Sequence, residues 1–325
     1  ALNCMKTFLN VVDPEVIFTQ DMINVLTNEF LPNPKFMIYC ISIISIIPSH
    51  HAIFDESINS FITLFYAIIQ CLSKIFINDN MFDIDTNSEL TPSSFIHIFI
   101  TSITKLLPPF ILSCPTIEKS EPYALCLKWI FNITCQIQDE SDNMDDFNDL
   151  VEFWHMVVRS LYYEINSNHE TNSVYYPFLS ILRRFYLSRM VEPYINNTRI
   201  DEDGIHYHRY DLTQEANTYN LMRETLVFMH HIDSEDTLKA ISEKLEEIRS
   251  TQSLKLITSF SWAIGSIPGT IPESQELKVI SEILQTFLAM VASSPIAENI
   301  ESRTVLTRAI LHICSQYGQM LSNQY

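Results

Sequence analysis

The chain has 325 residues, of which 47% are hydrophobic and only four are glycine, so it can bury a large core but has few sites for tight β-turns. Its formal net charge is −19, from 39 acidic and 20 basic side chains. This excess argues against nucleic acid or an anionic membrane surface as a partner held by bulk electrostatics, and it suits partners that carry basic surfaces.

Apolar residues recur at helical spacing along nearly the whole chain, and prolines follow the ends of several helices. We therefore predict an all-α protein, a solenoid of antiparallel helix pairs with a period of roughly 40 residues. A single array would occupy residues 1–325. The predicted helices are residues 2–12, 19–31, 35–47, 56–77, 95–107, 122–137, 147–165, 176–191, 215–231, 233–248, 253–267, 273–292 and 303–317.

Two uncharged stretches near the start of the chain, residues 36–54 and 57–73, approach the length of a membrane span. Both contain polar residues, so we interpret them as buried solenoid helices and expect no membrane insertion. The seven cysteines are odd in number and form no Cys-x-x-Cys motif. This pattern indicates buried thiols in a reducing compartment rather than a disulfide framework.

Two charged segments interrupt the predicted array. Residues 139–152 carry seven carboxylates and no basic residue, which we interpret as a solvated loop followed by an acid-rich helix N-terminus. Residues 194–213 contain two short strand-like runs around Asp201, Glu202, Asp203 and Gly204, so we predict an acidic β-hairpin inserted between two helices. An insertion of this length favours binding of a basic partner, with an inert solvated loop as the alternative.

The predicted helix at residues 273–292 is unusual because Glu282 is followed by no charged residue until Glu298. Its apolar residues cover more than the stripe of about 100° that burial on one side requires. Either a neighbouring helix or a ligand must cover the apolar surface that lies outside this stripe.

No arrangement of residues indicates catalysis. The chain has no glycine-rich phosphate loop, no spacing joins Ser, Cys and His into a nucleophile set, and His206 and His208 have no nearby cysteine for a zinc site. We predict that the protein is not an enzyme and holds neither a metal nor a cofactor.

Several segments carry a family resemblance. In chain order they are KTFLNVVDPEVIFTQDMINVLTNEFL at residues 6–31, YLSRM at 186–190, NLMRETLVFMHHIDSEDTLKAISEKL at 220–245, SWAIGSIPG at 261–269 and ICSQY at 313–317. These segments resemble the central part of the exportins, the nuclear export receptors of the importin-β (karyopherin) superfamily. The resemblance covers essentially the whole chain, is closest over residues 219–269, and implies a fragment of a longer HEAT-repeat superhelix.

The resemblance implies a receptor that binds leucine-rich nuclear export signals of cargo proteins cooperatively with Ran-GTP and carries the cargo from nucleus to cytoplasm. Nuclear pore proteins would be further partners, and direct contact with nucleic acid is not expected. The acidic residues Asp201, Glu202 and Asp203 would belong to the family's long loop, which contacts Ran and, without Ran, holds the export-signal groove closed.

The same resemblance places a partial export-signal groove at residues 272–321. Leu284, Leu288 and Val291 would lie along its first wall, with Thr307 and Leu311 beneath them, and an amphipathic signal would lay its leucines there. The helices at 215–231, 253–267 and 303–317 would line the inner face of the array, and those at 233–248 and 273–292 the outer face.

Three features depart from the family pattern. Many members carry a reactive cysteine where this chain has Val291, so we expect no covalent adduct with leptomycin-type inhibitors at this position. The lysine expected just before the inner helix of the groove is absent around Ile300. The helix expected to form the second wall would begin only at about Gln319.

Two other functions stay open. A HEAT-repeat protein-interaction scaffold would explain the helix pairs and the acidity, but not the hairpin together with the uncharged helix. An importin-type cargo receptor is a nearer alternative, and we would expect acidic patches for basic import signals on its inner face.

Overall fold

The structure of the protein is a computed structural model. It describes residues 19–31, 33, 36, 39, 40, 43, 121–136, 144–166, 175–200, 206–212, 216–293 and 299–322. The predicted helices at 2–12, 56–77 and 95–107 and most of the two uncharged stretches lie outside these residues. The chain divides into two compact units, Ala1–Phe153 and Trp154–Tyr325.

The first unit contains two helices that the apolar spacing predicts. Helix α1 (Gln20–Val25) continues into a π-helical turn at Leu26–Phe30, and helix α2 is Glu121–Gln136. Their buried apolar side chains include Leu26, Leu127, Ile130 and Phe131. Each helix therefore buries the apolar face that its sequence presents.

Helix α3 (Met144–Asn166) contains the boundary between the two units and forms the described part of the acidic segment 139–152. The predicted acid-rich helix N-terminus is present, but the expectation that these acids are solvated is wrong at Asp146, which is only 6% exposed. Asp146 lies one and two helical turns from Leu150 and Phe153, both buried, so it shares their core-facing side of the helix.

Among its described residues, the second unit holds seven further helices and a pair of strands. The helices are α4 (Tyr176–Arg189), α5 (Ala216–Ile232), α6 (Ser234–Thr251), α7 (Leu254–Ile264), α8 (Glu273–Ser293), α9 (Ile300–Gln316) and α10 (Gly318–Ser322). Consecutive helices pack as the pairs α4–α5, α6–α7 and α8–α9. We call α4, α6 and α8 the first row, and α5, α7 and α9 the second row.

Polar side chains tie the first row together. Arg183 and Arg184 on α4 both reach Asp236 on α6. Farther along, Arg249 on α6 donates to Thr286 on α8 at 2.8 Å and to Glu282 at 3.2 Å. Each helix of the first row is thus bridged to the next by at least one arginine.

Aromatic rings tie the second row together. Tyr219 on α5 meets Trp262 on α7 edge to face, with ring centroids 5.6 Å apart. Trp262 in turn packs against His312 on α9 at a centroid distance of 3.9 Å. The Tyr317 hydroxyl, just after α9, donates to the carbonyl of Ile264 at 2.9 Å. These repeated pairs and rows confirm the predicted HEAT-repeat fold in the second unit.

The helix ends follow local capping chemistry. Asp233 caps α6, because its carboxylate accepts the amide N–H of Asp236 at 3.0 Å. The predicted end of α7 at residue 267 is wrong, since the helix stops at Ile264 and a turn follows. That turn contains Gly269, whose φ of +76° lies in the left-handed region that glycine adopts without steric cost.

The predicted strands are present at the level of the backbone. Strand β1 (Tyr194–Ile200) pairs antiparallel with β2 (His206–Leu212), from Tyr194↔Leu212 to Ile200↔His206. This register leaves residues 201–205 to connect the strands. The acidic residues Asp201, Glu202 and Asp203 belong to this connection, which lies outside the described residues, so the acidic turn stays a prediction.

Within the ranges that the structure describes, no helix is both long enough and apolar enough to cross a membrane.

The close approach of α7 and α9 at Gly265 gives a first testable prediction. A Cβ atom added at Gly265 would lie 2.9 Å from Cδ2 of His312, closer than real Cβ contacts come, and the Trp262 ring packs against the histidine. We expect Gly265→Ala to lower the free energy of unfolding by about 1–3 kcal/mol, as overpacking does. Urea-induced unfolding followed by circular dichroism measures this loss.

Gly318 in α10 supplies the matched control. A Cβ atom there would meet nothing within 4 Å, so Gly318→Ala should leave stability unchanged or raise it slightly. If the two alanine variants unfold at the same urea concentration, the approach of His312 to Gly265 is not tight.

Candidate functional site

Helix α8 is fixed at its start by a buried carboxylate. Glu276, 5% exposed, accepts the amide N–H of Gly269 at 2.8 Å and so joins the turn after α7 to the first turn of α8. Burial raises the pKa of the Glu276 carboxyl, and the hydrogen bond from Gly269 offsets part of that rise. This hydrogen bond therefore helps to set the position of α8 relative to the turn after α7.

Two faces of α8 differ in their exposure. The core face consists of Ile280, Ile283, Phe287 and Met290, each less than 9% exposed. The three predicted groove residues follow one another at helical spacing on a neighbouring face, where Leu284 and Val291 are half-buried and Leu288 is 55% exposed. Of the additional apolar surface that the sequence predicts on this helix, the part at Leu288 is therefore largely exposed to solvent.

Helix α9 carries the other two predicted groove residues. Its N-cap is Asn299, whose side chain accepts the amide N–H of Glu301 at 2.8 Å, so the helix begins three residues before the predicted position. Thr307 is exposed and donates to the carbonyl of Arg303 at 2.7 Å. Leu311, one turn farther along, is 62% exposed.

The short helix α10 packs against both α8 and α9. It begins at Gly318, next to the position at which the sequence predicts the second groove wall to begin. Its apolar residues Met320 and Leu321 are half-buried. The elements expected around the groove, α8, α9 and the first turn of a further helix, are thus neighbours in the structure.

A cavity of about 380 Å³ lies between α7 and α9. Leu311 lines this cavity together with Trp262, and the other four predicted groove residues do not. Leu311 therefore lines a cavity between helices of the second row, whereas Leu284, Leu288 and Val291 belong to α8 in the first row.

Charge in the cavity is concentrated in one ion pair. Glu192, in the segment between α4 and β1, contacts the guanidinium of Arg308 on α9. Burial raises the pKa of the Glu192 carboxyl above its usual range, and the nearby Arg308 only partly counteracts this. Burial also lowers the pKa of His312, on the same wall, to about 4, so its ring is neutral at physiological pH.

Sequence reasoning missed both the cavity and this ion pair. Glu192 and Arg308 are 116 residues apart, and neither lies in a motif that would connect them. The predicted loop residues Asp201, Glu202 and Asp203 lie outside the part of the chain that the structure describes, so their distance to any other group is not defined.

Comparison with known proteins identifies the type of repeat. The family pattern described as CRM1 / Exportin repeat 3 matches residues 249–297, which run from the end of α6 through α8. A solved structure of importin beta, crystallised in an ammonium sulfate condition, is similar at a TM-score of 0.44 and 13% identity, covering 92% of this chain and 36% of the other. The protein is thus a helical-repeat protein with one segment that is similar to an exportin repeat.

The similarity extends to whole relatives. Exportin-1 of Drosophila melanogaster is 26% identical over 346 residues, covering 98% of this chain and 31% of the relative. Exportin-1 of Schizosaccharomyces pombe is 23% identical over 353 residues, covering 98% and 32%. The predicted resemblance is therefore confirmed as a similarity in sequence, and the chain spans about a third of the length of these relatives.

Proposed function

We propose that the protein is a nuclear export receptor that binds leucine-rich export signals of cargo proteins cooperatively with Ran-GTP. Cargo would then travel from nucleus to cytoplasm through contacts with nuclear pore proteins, so the receptor itself would shuttle between the two compartments. No catalytic step, metal or cofactor is part of this proposal. The similarity to exportin-1 over 98% of the chain supports it.

The observation that carries the proposal is the exposed apolar face of α8. Leu288 is 55% exposed at the centre of this face, inside the matched exportin repeat. Leu284 and Val291 extend the face by about one turn on either side, and an amphipathic helix buries its leucines against such a stripe. Thr307 and Leu311 on α9 would form the floor, and α10 would begin the second wall.

The hairpin supports the Ran-linked part of the proposal. Strands β1 and β2 flank residues 201–205 in the sequence, and Asp201, Glu202 and Asp203 of this segment would face a basic surface of Ran. If Ran-GTP and the export signal both favour the same open state, each raises the affinity of the other by the same factor.

The proposal predicts that a fluorescent leucine-rich export peptide binds the full-length protein more tightly when Ran-GTP is present. Leu288→Asp should weaken this binding by at least about tenfold, because it places a charge where an apolar anchor must be desolvated. Fluorescence anisotropy titrations with and without Ran-GTP measure both effects.

Ile181 on α4 gives a matched control, since it is 50% exposed and lies on a helix outside the proposed groove. Ile181→Asp should leave peptide binding unchanged. Binding that ignores Ran-GTP, or that is equally strong in the Leu288→Asp protein, would instead favour a HEAT-repeat scaffold. Preferential binding of a basic import signal would favour an importin-type receptor.

A further inference from the structure

We propose that the cavity between α7 and α9 is a pocket for the guanidinium group of an arginine side chain on a partner protein. Its volume of about 380 Å³ lies in the range of binding sites for small groups. Its walls come from α7, from α9 and from the segment that contains Glu192. The proposal concerns the second row of helices, and Leu311 is the one residue that this pocket shares with the proposed export-signal groove.

The hydroxyl groups of the cavity act as acceptors. Thr258 donates its proton to the carbonyl of Leu254 at 3.1 Å, and Ser261 donates to the carbonyl of Thr258 at 2.8 Å. Ser315 likewise donates to the carbonyl of His312 at 2.7 Å. Because each hydroxyl already donates to a main-chain carbonyl, its oxygen can accept a further hydrogen bond without breaking that contact. A ligand that offers many donors and no acceptor fits such a wall, and guanidinium has five N–H donors.

In the ion pair at the cavity, the negative charge is more enclosed than the positive charge. The side chain of Glu192 is 27% exposed, whereas that of Arg308 is 54% exposed. The carboxylate is thus the more enclosed charge, and the arginine is the one that can turn outward into water. In the unbound protein the guanidinium of Arg308 therefore contacts the Glu192 carboxylate, and the guanidinium of a bound partner takes its place.

The remaining lining and the charge of the whole chain favour the same ligand. Trp262, Val305 and Leu311 offer apolar surface for the aliphatic stem of an arginine. The net charge of −19 raises the local concentration of basic partners. An anion would have to approach Glu192 and three acceptor oxygens, which makes it the poorer occupant.

The proposal is tested with N-acetyl-arginine amide as the probe and the 325-residue chain labelled with ¹⁵N-tryptophan. The indole N–H signal of Trp262, assigned with Trp262→Phe, should shift saturably as the probe is added. Glu192→Gln should weaken the binding by about tenfold or more, since it removes a charge-assisted hydrogen-bond acceptor. Arg308→Ala should strengthen the binding several-fold, because it removes the internal competitor.

The effect of Arg308→Ala on binding decides whether the cavity binds a cationic or an anionic ligand. If the variant abolishes the shift, or if acetate alone produces the shift, the cavity is an anion site and the proposal is wrong. N-acetyl-citrulline amide, which is neutral, should produce no comparable shift, and an equal response to it would also overturn the proposal. So would the absence of any saturable shift with the arginine probe. The Leu288→Asp protein should keep the arginine response, so failure of export-peptide binding is separable from failure of this pocket.

Discussion

Asp236→Ala should lower the free energy of unfolding by about 3–5 kcal/mol, as removal of one partner from a buried ion pair does. The guanidinium of Arg183 is only 1% exposed and contacts the Asp236 carboxylate between α4 and α6. It also donates to the carbonyl of Met229 at 2.8 Å, which cannot replace the lost negative charge. The substitution therefore removes the main counterion of a buried cation, leaves only the charge of Asp233 to offset its burial, and removes the bridge between two helices of the first row.

The pH dependence of this bridge follows from the pKa of Asp236. Burial by itself raises that pKa, but hydrogen bonds from Ser180 and Arg184 and the charges of Arg183 and Arg184 outweigh burial and lower it below the usual 3.8. Because the folded-state pKa is depressed, the stabilisation is complete well above pH 3.8 and is lost as the pH falls through the folded-state pKa. The difference in stability between the wild-type protein and Asp236→Ala should thus shrink in strong acid.

Urea-induced unfolding at neutral pH and at acidic pH measures both effects. Glu243→Ala is the control, because Glu243 bonds Arg184 on the same pair of helices but lies at the surface. Surface ion pairs contribute little, so this variant should unfold almost like the wild-type protein. Equal losses in the Asp236 and Glu243 variants would show that burial of Arg183 does not govern the bridge.

Phe287→Ala should lower the free energy of unfolding by about 3–5 kcal/mol, whereas Leu288→Ala should change it by no more than about 0.5 kcal/mol. The two residues are neighbours on α8, yet Phe287 is 0% exposed and Leu288 is 55% exposed. The first truncation opens a cavity in the core, and the second removes atoms that already contact water.

This pair of variants separates stability from binding. Thermal or urea unfolding reports on the core, and export-peptide anisotropy reports on the proposed groove. Under the proposed function, Leu288→Ala loses peptide affinity while its unfolding midpoint is preserved. A large loss of stability in Leu288→Ala would instead mean that another segment covers Leu288 and that the face is core, as the scaffold alternative requires.

The sequence predicts the helices well where local chemistry decides them. The periodic apolar residues of α5 to α9 and the cap at Asp233 act within one or two turns, so their spacing is visible in the chain. The same spacing separates Leu288 from the core face of α8. The predicted end of α7 is three residues too long, because Ile267 continues the buried apolar spacing although it lies in the turn that follows Ile264.

The polar contacts between helices are not visible in the sequence. Arg183 and Asp236 are 53 residues apart, and Glu192 and Arg308 are 116 apart. Nothing in the local sequence distinguishes Arg183 from Arg184, although one is buried and the other is partly exposed. Such pairs depend on which helices stack side by side, and stacking is set by the fold of the whole unit.

The two rows of helices respond differently to the solution around them. Dissolved ions weaken the arginine bridges Arg184–Glu243 and Arg249–Glu282, which lie partly in water. They leave the ring contacts of Tyr219, Trp262 and His312 unaffected, because contact between rings does not depend on net charge. Rising ionic strength therefore weakens these contacts of the first row rather than the ring contacts, and its effect on stability is small because exposed ion pairs contribute little.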